Sequence, residues 1–141
     1  QWQTNTAVTD NRLVTDTTVI TEGGQLELVK EVRNVTQNTA FATTGTGKPN
    51  EVLEYRIGYT NQGSDYISAV EFSDPVPYFT DVEPDQYGTT GEVELVCPNA
   101  SVVNLDTGIV STIEVDIMNE CGITRIEAGE GGTVTYRVRI Q

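Results

Sequence analysis

Cys97 and Cys121 are the only thiols in the chain, and no histidine occurs among its 141 residues. Without histidine, a Ser-His-Asp triad, a Cys-His nucleophile pair and a His-containing zinc or haem site are all excluded. Two cysteines are too few for a soft metal site, and they lack the Cys-x-x-Cys spacing of a redox pair. Both sit in polar, turn-like surroundings. They read as a structural disulfide worth about 3 kcal/mol in the loop-entropy picture; the alternative is two unrelated buried thiols. A disulfide would place the protein in an oxidising compartment.

Three further groupings could carry chemistry. Asp81, Glu83 and Asp85 alternate along one short stretch and offer the oxygen ligands Ca2+ prefers, though without the full ligand set of an EF-hand loop. The alternative is a solvated acidic loop. Lys30 interrupts the apolar face of a strand, where an unpaired ammonium is costly. It either reaches the rim and pairs with Asp74 or forms an intramolecular isopeptide bond, for which Asn61 and Asp74 are the partner candidates. Glu54 fits that role less well, because its parity points it outward. Asn34-Val35-Thr36 and Asn99-Ala100-Ser101 are glycosylation sequons. Among 21 acidic residues some lie near one another by chance, and no motif singles out a catalytic pair. The sequence therefore predicts no enzyme and no organic cofactor; Ca2+ is the one ion it suggests.

The elements that must position these residues are strands. Threonine occurs 21 times, and β-branched residues favour extended backbone. Short alternating runs bounded by Gly, Asn, Asp and Pro recur, with no apolar repeat of helical period and length. Strands are expected at Leu26 to Val32, Glu51 to Thr60, Tyr66 to Ser73, Glu92 to Val96, Ile109 to Ile117 and Thr133 to Ile140. Leu53, Tyr55, Ile57 and Tyr59 face in on the second of these, as do Val134, Tyr136, Val138 and Ile140 on the last. Asp74-Pro75-Val76-Pro77 ends the third, since proline cannot donate to a central ladder.

Residues 1–24 form an N-terminal arm and residues 25–141 the body of the domain. The arm ends in Glu22-Gly23-Gly24, yet it carries Trp2, Val8, Leu13, Val14, Val19 and Ile20 with sparse charge, unlike a solvated tail. Two strand-competent stretches, Thr6 to Thr9 and Thr17 to Thr21, flank a polar turn. The start at Gln1-Trp2-Gln3, without an apolar leader, is expected for a mature secreted chain. No stretch approaches the ~20 apolar residues of a membrane span. The formal charge of −13 would repel nucleic acid and anionic lipid.

From Leu26 onward the chain resembles the conserved-repeat domain of prokaryotic surface proteins, domain of unknown function eleven. The resemblance rests on Leu28-x-Lys30-x-Val32, then on Pro49-Asn50-Glu51-x-Leu53-x-Tyr55-x-Ile57-x-Tyr59-x-Asn61-x-Gly63. It continues through Val70-x-Phe72-x-Asp74-x-Val76-Pro77 and Ala128-Gly129-Glu130-x-Gly132-Thr133-Val134-x-Tyr136-x-Val138. It implies an extracellular immunoglobulin-like β-sandwich without enzymatic activity. The family commonly occurs in tandem arrays, whereas this chain holds one copy, with an added arm and a cysteine pair.

Together these readings predict an all-β, immunoglobulin-like sandwich with a strand-forming arm, secreted and displayed at a cell surface. Its partner would be a second copy of itself. Residues ~4–21 would complete the sheet of the next subunit and build a filament. The arm could instead fold back as the first strands of its own domain, or link to an upstream domain. A monomeric adhesion module is the competing function, with Tyr66, Tyr78, Phe79 and Tyr87 as a platform for a glycan. Outward acids at Glu27, Glu31, Glu54, Glu71, Glu92, Glu94, Glu114 and Asp116 would oppose unspecific sheet pairing.

Overall fold

The computed structural model describes residues 24–141 and, in the N-terminal segment, the strand backbones of Val8–Thr9 (β1) and Thr18–Glu22 (β2). Trp2, Leu13 and Val14 lie outside the described residues. Leu26–Asn34 is β3, Thr46–Gly47 β4, Val52–Asn61 β5, Ala69–Pro75 β6 and Thr80–Val82 β7. Val93–Val96 is β8, Val102–Leu105 β9, Thr112–Asp116 β10 and Gly131–Ile140 β11, with one short helix α1 at Ile117–Cys121.

Two antiparallel sheets make a sandwich. The larger runs β3-β5-β11-β8-β9, with β7 also paired to β11; the smaller runs β10-β6-β2. A two-residue pairing joins β1 to β4. Period-2 alternation drives the packing. Tyr55, Ile57 and Tyr59 from β5, and Val134, Tyr136 and Val138 from β11, are buried against Val70, Phe72, Ile113 and Val115 of the smaller sheet. Tyr59 meets Phe72 edge-on, with ring centroids 5.5 Å apart.

The long strands lie close to their expected positions, except that β6 starts at Ala69 rather than Tyr66 and runs on through Asp74 and Pro75, Pro75 lying opposite Thr112, where β10 starts instead of at Ile109. Three short strands go beyond the sequence pattern: β4, β7 and β9 offer only two to four residues each, too few for an alternation to register. The strand expected to end at Ile117 stops at Asp116. There the Asp116 side chain accepts a hydrogen bond from the Asn119 amide and caps α1, which Gly122 ends in the left-handed conformation.

The alternation misjudges the outer face of the large sheet. Parity places Glu54 and Glu92 in solvent, but both are buried, Glu54 at 4% exposure. The connection between β7 and β8 folds over this face and lays Tyr87 on Glu54. A covering loop is a non-local event, so strand parity cannot announce it. Glu27, Glu71, Glu114 and Asp116 do face solvent, while Glu31 and Glu94 are half-buried.

Cys97 and Cys121 form a disulfide with Cα atoms 5.8 Å apart. It ties the end of β8 in the large sheet to α1, which follows β10 of the small sheet. The bond therefore fastens one sheet to the other.

Candidate functional site

The feature with functional promise is a strand position on β6. The central strand of the smaller sheet is flanked by β10 on one side and by β2, from the N-terminal segment, on the other. Thr18 lies opposite Ser73, Val19 opposite Phe72, Thr21 opposite Val70 and Glu22 opposite Ala69. The Glu22 end of this strand is rooted in the body. Gly24 has φ +62, and a Cβ there would collide with Ile67 Cγ1, so only glycine fits. Gln25 then engages the β5–β6 turn, its carbonyl accepting from the Gln62 amide at 2.7 Å and its own amide donating to Asn61 Oδ1 at 3.4 Å.

Asn61 organises this turn. Its Nδ2 donates to the carbonyls of Asp65 (2.8 Å) and Ile126 (3.1 Å), and its Oδ1 accepts from the Gly63 amide. The side chain is thus committed to backbone groups and does not serve as a partner for Lys30.

Lys30 meets Asp74 instead. Its Nζ lies 2.8 Å from both carboxylate oxygens, and the two side chains are 5% and 1% exposed. The pairing of these two residues was legible in the sequence, but its location was not. It sits inside the sandwich, not at the rim, because Tyr136 Oη donates to Asp74 Oδ2 at 2.7 Å from the facing sheet. Burial, then the Asp74 charge, pushes the Tyr136 hydroxyl well above its ordinary pKa, so it stays a donor. The Lys30 ammonium also lies 4.9 Å from the Tyr55 ring centroid.

A second buried cluster occupies the opposite face of β5. Glu54 accepts from Arg33, Arg137 and the Tyr87 hydroxyl at 2.7 to 2.8 Å. Burial alone would raise its pKa, but the hydrogen bonds from Tyr87 and Arg137 outweigh that and hold it below the usual carboxylate range. Glu92 is likewise held low against burial, by the amides of Asp85, Gly108 and Thr107. These carboxylates fasten loops to the sheet.

At the Pro75 end of β6 the surface is open and apolar. The chain crosses to the other sheet through Val76, Pro77, Tyr78 and Phe79, with Phe79 at φ +62. The Val76 amide donates to the Ser111 carbonyl, and the Gln141 amide donates to the Phe79 carbonyl, which holds this crossing in place. Between it and Ile109–Ser111 runs a groove of about 700 Å³. Tyr78 is 83% exposed and Ile109 63%. An aromatic pair directly after Pro75-Val76-Pro77, and an isoleucine directly after Gly108, are the sequence signal for this surface.

The remaining candidates separate. Asp81, Glu83 and Asp85 do not converge. Glu83 is held by Arg139, Asp81 accepts from Gln141, and among the described residues no three acids group around a cation position. Asn34 is buried, with Nδ2 bonded to the Thr46 carbonyl and to Glu51, which leaves its sequon inaccessible in the folded chain. Asn99 is exposed, and Ser101 Oγ donates to its Oδ1. The four aromatics do not share one platform. Tyr87 is buried on Glu54, Tyr66 stacks with Arg125 beyond the Ala69 end of β6, and Tyr78 and Phe79 lie beyond the Pro75 end. No helix among the described residues is long and apolar enough to cross a membrane. No family model matches the chain, and neither a curated protein nor a solved structure matches it.

Proposed function

We propose that this protein is an extracellular structural subunit that assembles head to tail by giving its N-terminal strand to the next copy. The observation that carries this reading is the occupant of the β6 edge. A core strand's neighbour is supplied by Thr18–Glu22, five residues that precede the body in the sequence. A position that a chain's own segment can fill can be filled with the same register by the identical segment of another copy, so exchange costs little at equilibrium. Backbone bonds supply affinity, and alternate side chains supply register.

Such a contact joins different surfaces on donor and acceptor, so it need not close into a ring, and repetition gives a filament. The disulfide supports an oxidising compartment outside the cytoplasm. A glycan-binding module has less support, since the exposed aromatics are divided between the two ends of the sandwich.

The test is electron microscopy and light scattering of the purified full chain beside a variant lacking residues 1–23. Filaments or a ladder of oligomers from the full chain, and monomers from the truncated one, are expected. A full chain that stays monomeric at high concentration, or a truncated chain that still polymerises, overturns the reading.

A further inference from the structure

Lys30 and Asp74 face each other across the sandwich. Lys30 belongs to β3, at one side of the larger sheet, and Asp74 to β6, the middle strand of the smaller one. Lys30 Nζ lies 2.8 Å from both Asp74 oxygens, so it sits on the plane that bisects the carboxylate. That places it within the about 3–3.5 Å of Cγ that defines a near-attack contact. The two side chains are almost wholly buried, which keeps bulk water away from them. Tyr136, buried on β11, donates its hydroxyl to Asp74 Oδ2. The other ion pairs among the described residues all use arginine, which has no ε-amine. A buried ion pair is costly, and moving one proton from the ammonium to the carboxylate leaves a neutral amine against a neutral acid. Those are the reactants of an amide bond.

We propose that Lys30 and Asp74 condense into an intramolecular isopeptide bond once the chain has folded. The Lys30 amine attacks Asp74 Cγ; the N–C bond forms and one C–O bond breaks. Two protons of the ammonium and one carboxylate oxygen leave as water, and no oxidant or other reactant is consumed. Tyr136 is the catalytic residue of this step, because its hydroxyl meets the oxygen on which negative charge gathers in the tetrahedral intermediate. Proximity drives the condensation, since groups held in this way react as though at roughly 10⁵–10⁸ M. The bond is a second covalent tie between the sheets, beside Pro75, whereas the disulfide meets the smaller sheet through α1, next to the Asp116–Glu71 pair. It forms within one chain, so it does not depend on how copies assemble.

The experiment is intact mass spectrometry of the folded full chain after its disulfide has been reduced, followed by peptide mapping. The chain should weigh one water less than its sequence, with the peptide carrying Lys30 joined to the one carrying Asp74 under reducing, denaturing conditions. Lys30→Arg keeps the cation but removes the amine, and should restore the full mass. Tyr136→Phe should slow the loss of water about a hundredfold, followed by mass over time after refolding. A folded full chain that keeps its full mass overturns the proposal, and this reading needs no variant to fold. A loss of water that persists in Lys30→Arg, or that maps to other residues, also overturns it. If Tyr136→Phe reacts as fast as the parent, the bond stands and the role given to Tyr136 falls.

Discussion

The two ends of the sandwich are built on different principles. At one end lie the disulfide, the capped helix, the Asn61 turn and the Ile67–Ile126 bridge, and Gly131 and Gly132 bring β11 against the backbones of Tyr59 and Val96. Backbone groups there are tied by side chains, and a covalent bond spans both sheets. At the other end a proline-rich crossing leaves Tyr78 and Ile109 bare beside an open groove. The covalent tie between the sheets thus lies at one end, and the most exposed large apolar side chains of the described residues lie at the other. The contrast teaches that β2 is rooted through Gly24 and Gln25 at the end that the covalent bond ties.

That contrast can be broken by mutation. Removing residues 1–23 bares the β6 edge beside Val70 and Phe72, and should cost about 3–5 kcal/mol of stability on top of abolishing assembly. Denaturant unfolding of the truncated chain measures it, and a loss under about 1 kcal/mol would mean that β2 contributes little to the sheet. Cys97→Ala with Cys121→Ala acts only at the tied end, where about 3 kcal/mol should be lost with assembly intact once the protein is folded. If the disulfide variant fails to assemble at temperatures where it is fully folded, the two ends are not independent.

Acid titration sharpens the comparison by a smaller effect. Glu51, Glu54 and Glu92 are held below the usual carboxylate range by hydrogen bonds that outweigh burial in the latter two. A carboxylate whose folded pKa is depressed stabilises the fold above its unfolded pKa, and that contribution is lost as pH falls through the folded value. Stability should therefore be flat from neutrality down to the ordinary carboxylate range, then decline. Glu54→Gln should flatten the decline, measured as melting temperature against pH. The smallest effect belongs to the open end. Tyr78→Ser should change stability by under about 0.5 kcal/mol, as exposed positions do. A large loss of stability would show that Tyr78 belongs to the core.

Much of the fold was legible because β3, β5 and β11 alternate cleanly, and the chain cannot bury Tyr55, Tyr59 and Tyr136 any other way. The Lys30–Asp74 pairing was legible for the same reason, since a lone cation on an apolar face demands an anion. Its depth was hidden, because Tyr136 reaches it from a strand 62 residues away in sequence from Asp74. The burial of Glu54 was hidden by the loop that lays Tyr87 on it, and that of Glu92 by the Thr107 and Gly108 amides that reach it from a later connection. The β6 strand position was half visible: Thr17 to Thr21 reads as a strand, but its partner is set by the shape of the sandwich.

The ion pairs carry a consequence for digestion. Lys30, Arg33, Arg56, Arg137 and Arg139 all lie within strands and are bound to carboxylates, and Lys48 precedes a proline, whose peptide bond trypsin-like proteases cut poorly. Of the basic residues described, Lys48 and Arg125 sit exposed in connections, and Arg125, between the disulfide and β11, is the one not followed by proline. A single nick there would separate β11 from every covalent tie to the rest of the body. The central strand would then be held by its ladders alone, and a particle that looks whole in native conditions would come apart in denaturant.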